Sequence, residues 1–222
     1  MKKIIASLVA AAAVALPAHS DPLKDNEFYT MHSMGCMLLQ ECTKDVHQVF
    51  SIDDIASAHP NSDYDIIANE FHDMLVALDQ VGVKVFLADE KYFPVAHRGV
   101  YHTVSNNFFL NKTYMRSPNV LMSVMRHEGW HVAQDCMAGT IDNSLIAIIK
   151  PEEDVPMIWR ELVERTYPEH ARPWEAEATW AGKTEGMTAN ALTACASGKM
   201  WEIYEPTPLT RQYLEKEGYL SK

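Results

Sequence analysis

Positive charge is scarce in this sequence. Its 222 residues hold 19 Lys and Arg against 30 Asp and Glu, a formal net charge of −11. That balance argues against nucleic acid or an anionic membrane as partner, since both recruit basic patches. After residue 20 no apolar run approaches the ~20 residues that span a bilayer. Cys-x-x-Cys pairs, which four-cysteine zinc sites use, are missing. No lipobox-like cysteine follows the N-terminal apolar segment, and repeats and low-complexity runs are absent. The length suits one domain, or one domain with a small appendage. The hydrophobic fraction of 47% is enough for a real core.

Residues 1–20 have the layout of an export signal. Lys2-Lys3 is a positive start, Ile4 to Leu16 a short alanine-rich apolar run, and Ala18-His19-Ser20 a small-x-small cleavage site. The reading is a signal peptide over 1–20 and a mature domain over 21–222, periplasmic or secreted, with no membrane attachment after cleavage. Loss of Lys2 and Lys3 moves the net charge from −11 to −13. Four cysteines, an even number, fit an oxidising compartment. Of the three pairings, Cys36–Cys42 with Cys136–Cys195 is favoured.

The stretch that carries chemistry is Leu121 to Asp135, which contains His127-Glu128-Gly129-Trp130-His131. Two histidines four apart share one helix face, a turn from each other. Neutral imidazoles so placed can grip one Zn²⁺. Glu128 is poorly placed to ligate beside them, but it can take a proton from a metal-bound water. The local signs favour a helix. Ser117-Pro118 reads as N-cap and first helical residue. Leu121, Val124, Met125 and Val132 recur at helical spacing, and Gly139 reads as the stop.

The His-Glu-x-x-His pattern resembles the zincin metallopeptidases, over about residues 99–182. The resemblance implies a zinc-dependent hydrolase with a peptide or protein substrate, His127 and His131 as metal ligands and Glu128 as the catalytic base. It also implies an edge strand before the motif helix that pairs with extended substrate, either Gly99–Val104 or Phe108–Asn111. A third protein ligand is required. Gln134 and Met137 stand where a metzincin has Gly and His, so that class is rejected. Asp135 lies about 12 Å along the axis from His127, too far for one ion. Asp142 follows His131 too closely to be favoured. A glutamate from a downstream helix is the gluzincin arrangement and offers Glu175 and Glu177, only one of which can face the metal. Glu177 shares a face with Trp174 and Ala181, which look core-facing, whereas Glu175 shares one with Thr179, Gly182 and Glu185, which look exposed. Glu177 is therefore preferred, with Glu175 the alternative.

Elsewhere, Met31 to Phe50 reads as a helix broken near Cys42, and Asp63 to Leu78 as a clearer one. Val83–Ala88, Gly99–Val104 and Phe108–Asn111 read as strands. Helices are expected from Pro156, from Pro173, over Thr188–Trp201 and over Arg211–Lys216. The fold class is α+β: a mostly helical domain with a small antiparallel sheet, zincin-like around the metal. Tyr101, His102, Tyr114, His170 and Tyr204 are candidate oxyanion donors. Asn106, Asn107, Asp135 and Asp142 are candidate partners for the ligand histidines. Two other functions stay open: a zinc amide hydrolase acting on cell-wall peptide, and a non-catalytic exported zinc protein.

Overall fold

Helix α4, Pro118–Met137, runs through the interior, with 13 of its 20 residues buried. The computed structural model describes residues 29–221; the expected export signal lies outside them. Ser117 and Pro118 take the N-cap and first helical positions, although the Ser117 side chain makes no capping bond. Ala138 caps the C-terminal end, and Gly139 follows with φ of 131°. Trp130 is fully buried, in the same apolar cluster as Phe71, Phe108 and Leu192.

Among the described residues four strands form one sheet: β1 (Val46–Gln48), β2 (Lys84–Ala88), β3 (Gly99–His102) and β4 (Asn107–Asn111), in the order β1-β2-β4-β3. The α+β class holds, but the sheet is mixed. The outer pairs are antiparallel, and β2 pairs with β4 in parallel. The hairpin explains this. β3 lies outermost, and a turn with Asn106 in left-handed backbone (φ of 52°) returns β4 between β3 and β2. Asn is among the few residues that accept that conformation cheaply. β4, flanked on both sides, is buried along its whole length. β3 is thereby an edge of the sheet, next to α4.

The expected helix over 31–50 is shorter. α1 covers Met31–Leu38, and the chain then turns through Gln40 and Asp45, both at positive φ, into β1. The Cys36–Cys42 disulfide closes that turn. Next comes α2 (Ile52–Ala58), which begins with a reciprocal capping box between Ser51 and Asp54. α3 (Ala68–Gln80) packs against α4 from one side. After α4 the helices are α5 (Met157–Glu164), α6 (Arg172–Ala181), α7 (Met187–Ala196), α8 (Met200–Ile203) and α9 (Pro208–Glu217). The single helix expected over 188–201 is divided at Gly198, where φ is 67°. α6 and α7 both pack on α4. Cys136–Cys195 joins the end of α4 to α7 and closes a 59-residue separation. In the chain-entropy description such a loop is worth about 4 kcal/mol. Both disulfides match the expected pairing and fit an oxidising environment. Among the described residues no helix is long and apolar enough to cross a membrane.

Candidate metal centre

α6 crosses α4 at Gly182, just past its C-terminal end. A Cβ there would stand 3.0 Å from the Ser123 carbonyl oxygen and 3.3 Å from Cβ of His127. The missing side chain lets the two backbones approach. That approach brings Glu175, seven residues earlier and hence on the same face, to the motif histidines. Its Oε2 lies 3.3 Å from Nε2 of His127 and 3.7 Å from Nε2 of His131. His127, His131 and Glu175 form a group that could hold a metal ion. All three side chains are between 12% and 18% exposed, so the group sits at the rim of the core, where an ion and water can reach it.

Glu177 does not join this group, contrary to the preference drawn from helix periodicity. Its side chain is fully buried and committed to four donors. Oε2 accepts from Nε1 of Trp130 (3.0 Å), Nε2 of Gln134 (2.8 Å) and the Ile149 N–H (3.1 Å). Oε1 accepts from the Lys150 N–H. Glu177 therefore fastens α6, α4 and the 149–150 backbone together. The periodicity correctly marked it as core-facing. The inference that the core-facing glutamate is the ligand fails, because the interior position carries a structural carboxylate and the rim position faces the histidines.

The electrostatics follow from this placement. Oε2 of Glu175 is buried without a hydrogen-bond partner. Burial alone would raise its pKa, but the two imidazoles outweigh it and hold the carboxyl well below its ordinary range. Burial likewise works to lower the pKa of His131, yet Glu175 and then Glu128 overcome it and push the imidazole up to about 9. Two imidazoles and an unsatisfied carboxylate oxygen are a donor set suited to a borderline divalent cation.

Glu128 lies against the sheet edge. Its Oε2 accepts the Tyr101 N–H of β3 at 3.0 Å, and its side chain is 9% exposed. Tyr101 points its hydroxyl elsewhere, to Oδ2 of Asp135 at 2.8 Å and Oδ1 of Asn106 at 3.1 Å. Asp135 is fully buried, and its Oδ1 has no hydrogen-bond partner. Burial pushes its carboxyl up to about 7. Of the expected histidine partners, none bonds to His131; Gln134 does, through Oε1 at 2.8 Å from Nδ1.

The expected oxyanion donors are spread out. Tyr101 is engaged as described, His102 bonds Ser105, Tyr114 lies under Arg98 and Tyr204 under Lys150. His170 is exposed. The hydroxyl beside the site is that of Tyr167, in the connection before α6 that also holds Pro168; it is not among the donors expected from the sequence. Burial and the nearby Glu175 and Glu128 carboxylates raise its pKa above the ordinary phenol range. It stays a protonated donor. Only its position, in the connection leading into α6, could have marked it.

No protein-family model, curated protein or solved structure matches this chain.

Proposed function

We propose that the chain is an exported, zinc-dependent metallopeptidase of the zincin kind, with His127, His131 and Glu175 as ligands. The observation that carries this reading is the unpartnered Oε2 of Glu175, set between two Nε2 atoms of the helix that also carries Glu128. A Zn²⁺ held there would polarise the scissile carbonyl and acidify its bound water. Glu128 accepts the proton of the attacking water and hands it to the leaving amine. The Tyr101 N–H holds one of its oxygens, which leaves the other for that exchange. β3, which among the described residues has no strand on its outer side, offers backbone groups to an extended peptide. Tyr167 supplies an O–H for the developing oxyanion. Export rests on the residue 1–20 pattern and on the two disulfides.

The test is Glu128→Gln. Metal content and thermal stability should match the wild type, while hydrolysis of a peptide library falls about 10²- to 10⁴-fold. A wild type that binds one zinc, cleaves nothing and unfolds when zinc is chelated would be a structural zinc protein instead.

A further inference from the structure

Glu177 is the most heavily hydrogen-bonded carboxylate near the site, yet it is outside the ligand group. Its link to that group runs through Gln134. The Gln134 side chain has two ends that differ chemically, one all acceptor and one all donor. Its nitrogen lies 2.8 Å from Oε2 of Glu177 and 3.1 Å from the Trp174 carbonyl oxygen. Both neighbours only accept, so the NH₂ end must face them. The amide oxygen must then face Nδ1 of His131, at 2.8 Å. An amide oxygen cannot donate, so Nδ1 carries the hydrogen. Nε2 is left as the nitrogen that can give a lone pair to a cation, and it is the one that faces Glu175.

We propose that Glu177 and Gln134 are positioning residues, a buried relay that fixes the orientation and tautomer of His131 so that Nε2 is presented to the cation. This rests on the metal-site reading above. The relay is anchored firmly. Trp130 and the Ile149 and Lys150 amides hold Glu177, and α4 carries both Gln134 and His131 three residues apart. Hydrogen-bond partners behind a metal-bound histidine typically change affinity 10- to 100-fold when removed. Here the acceptor is an amide whose direction is set by a carboxylate one step further in.

Two measurements on the full chain test it. The first needs no variant and no metal: ¹⁵N NMR of the neutral His131 imidazole in metal-free protein. In the neutral ring Nδ1 should carry the hydrogen and Nε2 should be bare; the opposite tautomer overturns the relay. The second compares zinc dissociation constants, by chelator competition, for wild type, Gln134→Met and Trp201→Phe. Gln134→Met keeps the length of the side chain but has no amide. Trp201→Phe removes an indole donor to the Met137 carbonyl at the end of α4, outside the relay. Gln134→Met should weaken zinc binding about 10- to 100-fold, with Trp201→Phe within about threefold of wild type. Equal weakening in both variants, or none in Gln134→Met, overturns the proposal. A wild type that binds no zinc but shows Nδ1–H removes the metal reading and leaves the relay's orientation of His131 intact.

Discussion

The backbone N–H of Tyr101 donates to Oε2 of Glu128 at 3.0 Å, which ties the sheet edge to the motif helix at its carboxylate. Gly99, two residues earlier on β3, makes that contact feasible. A Cβ there would lie 2.6 Å from Cγ1 of Val124 and 3.1 Å from Cγ of Glu128. Gly99→Ala must therefore push strand and helix apart or turn Glu128 away. Small displacements of a catalytic group cost up to about 10²-fold in rate. The expected outcome is a kcat reduced at least about 10-fold, with zinc content unchanged. Steady-state kinetics on a cleavable peptide, paired with metal analysis, checks it.

The two glutamates of α6 should fail in different ways. Glu175→Ala removes a rim carboxylate and should leave a folded protein whose zinc affinity drops more than about 100-fold. Glu177→Leu leaves the Trp130, Gln134, Ile149 and Lys150 donors buried without an acceptor. Each such group costs about 1–3 kcal/mol, so the loss of stability should be about 3 kcal/mol or more. Urea unfolding of the metal-free proteins separates the two effects. Similar unfolding midpoints for both variants would contradict the assignment.

The contrast between Glu175 and Glu177 also marks how far the sequence could be read. α4, the three strands at 84–111 and both disulfides were legible, because each depends on local pattern or on counting cysteines. The His127 and His131 rings come together because a single helix fixes their spacing. Which glutamate joins them depends on how two helices cross, and a periodic pattern does not report that. Gly182 looked like a solvent-facing residue on the Glu175 side. It in fact lies against α4, where a Cβ would stand 3.0 Å from the Ser123 carbonyl oxygen, and that face is turned towards the histidines. The parallel β2–β4 pair was hidden for a similar reason, since strand order is a tertiary property. The Ser51–Asp54 capping box that starts α2 is a local signal, independent of the apolar spacing by which the other helices are read.

Asp135 should leave a signature in the pH dependence of stability. Its carboxyl is pushed up to about 7 by burial, from an ordinary 3.8. The folded state thus binds this proton more tightly than the unfolded state between those values. Stability from this group is complete below pH ~4 and falls as pH rises towards 7, by up to about 4 kcal/mol. Asp135→Asn keeps an oxygen to accept the Tyr101 hydroxyl and has no proton to lose. Relative to wild type, it should gain stability steadily from pH 4 to about 7 and then level off. Denaturant unfolding of both proteins across that range gives the difference directly. A difference that stays flat with pH would show that Asp135 titrates normally.

The location of the metal tests the central claim most directly. Crystals of the protein grown with zinc, measured on both sides of the zinc absorption edge, locate the ion without reference to activity. The expected result is one anomalous peak about 2.0–2.2 Å from Nε2 of His127, Nε2 of His131 and a carboxylate oxygen of Glu175, with Glu177 still bound to Trp130 and Gln134. No peak at the two histidines, or a peak ligated by Glu177 in place of Glu175, would contradict it.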